Sequence, residues 1–156
     1  MTATADRQME LTLPMVPDIE IAAARAAGNL ARELGMASES IDEMAHALIE
    51  ACINAREHSG SADRRIYVRI VGTSTADGSP RIDIWITDHG KGFDVTEARS
   101  RRQKLGAVHK RGWGLQIIEA HMDEVEISTT PEGGTTIHMV KIGKAAEDQA
   151  ASMGES

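Results

Sequence analysis

The 156-residue chain predicts an α/β protein, a two-layer α/β sandwich in which a mainly antiparallel mixed sheet packs against three helices. Three observations lead there. Stretches that alternate apolar and polar residues come in two neighbouring pairs, each pair separated by turn-forming residues. Other stretches repeat their apolar residues at helical spacing. Their order is strand, helix, helix, two strands, a polar stretch, helix, two strands, which does not alternate as βαβ and so argues against a doubly wound sheet.

Residues 8–13 (Gln-Met-Glu-Leu-Thr-Leu) alternate as a strand, punctuated by Pro14 and Pro17. An alanine-rich amphipathic helix runs from Asp18 to Leu34, and Gly35 ends it. Ser38 can cap a second helix whose apolar stripe is Ile41, Met44, Ala45, Leu48 and Cys52, and which stops near His58 at Ser59-Gly60. Residues 65–71 and 81–87 alternate clearly around the polar segment Ala76–Pro80 and read as a hairpin. Residues 93–111 show no clear period, and loops of that length inside compact domains tend to be functional lids. Gly112 to Met122 reads as a third helix with Leu115, Ile118 and Met122 on one face. Residues 125–129 and 135–142 form a second hairpin across Pro131-Glu132-Gly133-Gly134. No repeat or second domain is visible. The expected organisation is one domain over 1–142 and a flexible tail over 143–156, which holds only small, polar and charged residues apart from Met153.

Composition narrows the function. With 41% apolar and 26% charged residues, the chain is ordinary for a globular protein, but aromatics are only 3%, so the core must be aliphatic. No apolar run approaches the roughly 20 residues of a membrane span. The first residues carry no basic patch followed by an apolar stretch, and the single cysteine, Cys52, cannot form an internal disulfide. A cytoplasmic protein without membrane attachment is expected. The net charge of −7 argues against nucleic acid as a partner. Against that background the segment from Phe93 to Arg111 is net +4, with Arg99, Arg101, Arg102, Lys104, Lys110 and Arg111 against Asp94 and Glu97. Charge runs are usually solvated loops; this one lies between two glycine clusters, which favours a phosphate role.

Three patterns carry chemistry. On the second helix, Glu43, His46, Glu50, Asn54 and Glu57 fall within about 40° of Glu50, opposite the apolar stripe. A polar stripe is normally a wet face, but Asn is a poor mid-helix residue and an odd choice there. An amide oxygen one turn from a carboxylate suits Mg²⁺ shared with phosphates, and Glu50 is placed to take a proton from a hydroxyl. Asp88-His89-Gly90-Lys91-Gly92-Phe93 ends an apolar strand with a carboxylate, and its two glycines let backbone approach a planar ligand. Arg111-Gly112-Trp113-Gly114-Leu115 opens a helix whose backbone N–H groups suit phosphate, with Lys110 and Arg111 beside it. Neither cluster is a Walker A sequence. The six histidines are scattered without chelating spacing. Cys52 falls on the apolar stripe and is expected in the core.

In that order, Glu50-x-x-x-Asn54-x-x-x-His58, Asp88-x-Gly90-x-Gly92-Phe93, Gly112-x-Gly114-Leu115 and Gly133-Gly134-Thr135 resemble the four boxes of the GHKL ATPase superfamily. The phrases Glu-Ala-Cys-Ile-Asn-Ala-Arg-Glu-His and Met-Asp-Glu-Val-Glu-Ile are similar to the anti-sigma-factor serine/threonine kinases of that group. The resemblance spans about residues 8–142 and implies a Bergerat-type ATP-binding fold using ATP and Mg²⁺. It implies Asn54 as the Mg²⁺ ligand and Glu50 as the general base. It implies Asp88 as acceptor for the adenine amino group, with Gly90, Gly92 and Thr135 shaping that pocket. It makes residues 93–111 the ATP lid, puts Lys110 or Arg111 near the terminal phosphate, and has Gly112, Gly114 and Leu115 form the phosphate box. Trp113 departs from the smaller residue expected between those glycines.

The implied function is a kinase of a bacterial partner switch that phosphorylates a STAS-domain anti-anti-sigma protein and, as a homodimer, sequesters a sigma factor or another regulator. Two alternatives share these residues. One is a nucleotide-binding switch that sequesters its partner without turnover, and the other a switch kinase acting on a phosphatase-regulating complex.

Overall fold

The sheet takes the order β1-β2-β3-β5-β4, from β1 (Arg7–Pro14), β2 (Arg65–Ser74), β3 (Pro80–Asp88), β4 (Glu124–Thr129) and β5 (Thr135–Ile142). Helices α1 (Ile19–Glu33), α2 (Ser38–His58) and α3 (Gly114–His121) complete the described elements. The structure is a computed structural model, and it describes residues 7–58, 60–90 and 114–146. The expected lid, with Gly92, Lys110, Arg111 and Gly112, lies outside the described residues.

Both expected hairpins form, β2 with β3 and β4 with β5. All four described pairings are antiparallel, in keeping with the mainly antiparallel sheet expected, and none of the four is parallel. The two helices between β1 and β2 explain one of them. They return the chain to the end it left, so β2 runs back along β1. The β3–β5 pairing links the hairpins, with Asp88 opposite Thr135.

The helix boundaries follow local chemistry. Gly35, at φ 82°, supplies the left-handed residue that ends α1. The Gly35 N–H donates to the Arg32 carbonyl at 3.0 Å and the Met36 N–H to the Ala31 carbonyl at 3.0 Å, which is the Schellman arrangement. Helix α2 buries Ile41, Met44, Ala47, Leu48, Ala51, Cys52 and Ala55; Ala45, expected on that stripe, is only half-buried because it borders a surface cleft with His46 and His121.

Strand alternation places Ile66, Val68 and Ile70 of β2, Ile82, Ile84 and Ile86 of β3, and Ile137 and Met139 of β5 against the helices. The described core is aliphatic, as the composition required: Tyr67 and Trp85 are half-buried residues on alternate strand positions, facing away from the helices. The chain continues past β5 with Gly143 N–H donating to the Pro80 carbonyl and Ala146 N–H to the Gly35 carbonyl, so residues 143–146 are hydrogen-bonded to the domain.

Candidate active site

Helix α3 covers the polar face of α2. At its start, Gly114 lies against the Asn54 side chain, where a Cβ would stand 2.8 Å from Nδ2 and 2.9 Å from Oδ1. At its end, the His121 ring meets the His46 ring edge-on with centroids 5.3 Å apart. The two helices therefore run antiparallel, and Glu50 lies one turn from each contact residue on α2. Glu50 and Asn54 are half-buried, while His46 and Glu57 of the same stripe are exposed. The polar stripe is thus a lined face over part of its length. Leu115 and Ile118 hold α3 down, both buried as expected.

The far end of α3 is tied by a residue the sequence reading passed over. Lys141 occupies a helix-facing position of β5 and is only 6% exposed. Its Nζ donates to the His121 carbonyl at 2.7 Å and to Glu43 Oε2 at 2.8 Å. A cation at a helix C-terminus offsets the helix dipole. The Lys141 hydrogen bond also holds the Glu43 carboxyl below its usual range. A lysine in phase with Ile137 and Met139 was the available signal.

At the end of β3, Asp88 is buried at 5% exposure on the helix-facing side of the sheet. Burial pushes its carboxyl above the ordinary carboxylate range, against hydrogen bonds from the backbone of Gly90 and Thr135. The Gly90 N–H donates to Asp88 Oδ1 at 2.8 Å, which closes the first turn of the glycine cluster. Thr135 is also buried and begins the strand beside it. A Cβ on Gly134 would stand 2.1 Å from the Asp88 carbonyl oxygen and 3.1 Å from His89 Cα, so only glycine fits. The sequence places Gly134 in a turn and in the fourth box of the resemblance; its close approach to Asp88 comes from the β3–β5 register, which no local pattern reveals.

Asn54, Gly114, Asp88, Gly90 and Thr135 thus gather at one end of the sandwich, where α2 ends, α3 starts and β3 meets β5. The donor chemistry fits the implied groups. Magnesium shared with phosphates uses one or two protein oxygens, and the Asn54 amide faces the space that the missing Gly114 side chain leaves. Cys52, two residues earlier on α2, is fully buried, and burial raises its thiol pKa to about 12 with the Glu20 charge adding to the effect.

These residues meet on a single antiparallel sheet with its helices packed on one face. The chain belongs to the histidine kinase-like ATPase domain family, which matches residues 16–141. It is 26% identical over 139 residues to the serine-protein kinase RsbW of Bacillus licheniformis, covering 85% of this chain and 84% of that protein. It is 29% identical over 146 residues to the anti-sigma F factor of Pasteuria penetrans, covering 92% and 95%. Among solved structures it is similar to the RsbU and RsbW domains of a Mycobacterium tuberculosis protein, with a TM-score of 0.62 and 22% identity over 88% of this chain. The chain spans 32% of that longer chain, and the likeness supports the fold. No helix among the described residues is long and apolar enough to cross a membrane.

Proposed function

We propose that the protein is an ATP-dependent serine/threonine kinase and anti-sigma factor of a bacterial partner switch. Its phosphoacceptor is a serine or threonine on a STAS-domain anti-anti-sigma protein, and its sequestered partner is a sigma factor or an equivalent regulator. The observation that carries this reading is the placement of Glu50 one turn from Asn54 on the face of α2 that α3 covers. The similarity to a serine-protein kinase and to an anti-sigma factor supports it. It acts as a homodimer in the cytoplasm.

In this reading Asp88 accepts the adenine amino group, while Gly90 and Thr135 shape the pocket around it. Asn54 holds Mg²⁺, which when bound neutralises phosphate charge. Gly114 and Leu115 present the opening of α3 to the phosphates, Gly112 serves the same phosphate box, and Lys110 or Arg111 neutralises the terminal phosphate. Glu50 accepts the proton of the substrate hydroxyl as its oxygen bonds to the γ-phosphorus; the bond to the β–γ bridging oxygen breaks and ADP leaves. General-base catalysis of this kind contributes about 10²–10⁴-fold.

The test mixes purified protein, Mg-ATP and a cognate STAS-domain protein and follows phosphoserine or phosphothreonine by mass spectrometry. Phosphorylation by the wild type that falls by at least about 100-fold in Glu50→Gln, with ATP still bound, is the expected result. Nucleotide binding and partner sequestration without any phosphoprotein would instead establish a switch without turnover.

A further inference from the structure

The open face of the sheet carries a second constellation next to the expected adenine turn. Asp63 lies in the connection between α2 and β2, and its carboxylate gathers four groups. Ser61 Oγ donates to Oδ1 at 2.5 Å and the Arg65 N–H at 3.2 Å. The Tyr67 hydroxyl donates to Oδ2 at 2.7 Å, and His89 Nδ1 pairs with the same oxygen at 2.9 Å. The His89 ring also lies over the Tyr67 ring, with centroids 4.6 Å apart and planes 29° from parallel. His89 is thereby held in two ways, through one ring nitrogen and through one ring face.

Position gives this cluster its meaning. His89 follows Asp88 directly, and successive strand residues point to opposite faces. While Asp88 turns toward the helices, His89 turns outward into the grip of Asp63 and Tyr67. Gly134, just before β5, packs on the backbone of Asp88 and His89, so the turn is clamped between the start of β5 and the Asp63 cluster. The clamp also joins two parts of the site, because Asp63 stands on the connection that leaves α2, the helix of Glu50 and Asn54. Surface ion pairs contribute little to stability; one that fixes the backbone beside a recognition carboxylate acts instead on geometry, where small displacements cost affinity.

We infer that His89 is a positioning residue for the nucleotide: held by Asp63 and Tyr67, it sets the Asp88–Gly90 turn so that the Asp88 carboxylate meets the adenine. It contacts neither the nucleotide nor the reacting atoms, and Asp63 is its partner in that task. The inference rests on the reading of Asp88 as the adenine acceptor.

The experiment compares wild type with His89→Ala, His89→Asn, Asp63→Ala and the His89→Ala/Asp63→Ala double variant. ATP binding is measured by calorimetry, kinase kinetics with the STAS-domain substrate, and folding by circular dichroism. In His89→Ala, KM and Kd for ATP are expected to rise about tenfold with kcat within about twofold, the signature of lost uniform binding. His89→Asn, whose amide nitrogen stands where Nδ1 stood, is expected to recover most of that loss. The double variant is expected to be no weaker than either single one, as coupled partners require. Wild-type ATP affinity in His89→Ala overturns the inference, as does a loss in His89→Asn equal to that in His89→Ala. If Asp63→Ala fails to fold, the contrast between the two His89 variants decides alone. A wild type that binds no ATP, or an Asp88→Asn variant that binds it normally, overturns instead the adenine reading on which the inference stands.

Discussion

Gly114 and Asn54 stand so close that the glycine's missing side chain is the space in which the amide sits, with a built Cβ falling 2.8 Å from Nδ2 and 2.9 Å from Oδ1. One residue opens α3 and the other lies a turn before the end of α2, so the contact sets the spacing of the two helices at the site. Real Cβ atoms do not approach that closely, and an Asn side chain can swing aside at modest cost.

Gly114→Ala is therefore expected to cost little stability, about 1 kcal/mol, and much function. On the proposed role of Asn54 as the Mg²⁺ ligand, displacing its amide lowers Mg-ATP affinity about tenfold or more. Thermal melts and calorimetric titration with Mg-ATP check both halves. A variant that melts normally and binds Mg-ATP normally would separate Asn54 from the nucleotide.

Asp88→Asn is expected to split affinity from stability in the opposite sense. On the proposed role of Asp88 as the adenine acceptor, a buried amide can turn a donor toward the adenine amino group, and leaving that group unpaired weakens ATP binding about 10- to 100-fold. Stability should not fall, because burial raises the Asp88 pKa and the ionised form is disfavoured in the folded protein. The sign is that of an acid whose folded pKa exceeds its unfolded one. Its contribution grows as pH falls from the folded value toward the ordinary Asp value of about 3.9, and shrinks as pH rises through the same window. Urea denaturation across that range reads this component as the difference between wild type and Asp88→Asn.

The Lys141–Glu43 pair shifts the balance on the acid side. The Lys141 hydrogen bond depresses the Glu43 pKa, so its contribution is complete above the ordinary Glu value of about 4.3 and is lost as pH falls through the lower folded value. The Glu43 side chain is 41% exposed, which keeps the effect small. Glu43→Gln should flatten that acid limb by lowering stability slightly at neutral pH while leaving the acid end unchanged. Lys141→Met should cost about 1–3 kcal/mol at neutral pH by orphaning the His121 carbonyl. Equal urea midpoints for Lys141→Met and wild type would show that the carbonyl finds another partner.

Cys52 is fully buried in the α2 stripe, so thiol reagents should reach it only through opening of the domain. Its modification rate should rise with urea in step with unfolding and fall when saturating ATP stabilises the folded state. Rapid labelling of the native protein would contradict the packing of α2.

Much of this was readable in the chain because the signals are local. The alternation of β2 and β3, the glycine that ends α1, and the face shared by Leu115, Ile118 and Met122 each lie within one element. Asn54 stood out as an amide where a helix prefers none. The contact of Gly134 with Asp88, the order of β5 beside β3, and the burial of Lys141 depend on strand pairing across distant segments. The grip of Asp63 on His89 is similar: two short-range turns, each ordinary alone, meet only after β2 and β3 pair. Local pattern carries the elements and the candidate ligands, and the register decides which of them touch.

The aliphatic core has an optical consequence. The chain has two tryptophans, and Trp85 lies on the open face, stacked on His138 with centroids 4.3 Å apart and beneath the Arg69 guanidinium. The other, Trp113, sits in sequence between the two glycines of the expected phosphate box. Trp85→Phe leaves an aromatic ring over His138 and makes residue 113 the sole indole. Intrinsic emission from that variant becomes a label-free gauge of the glycine box, with no signal from the interior to subtract.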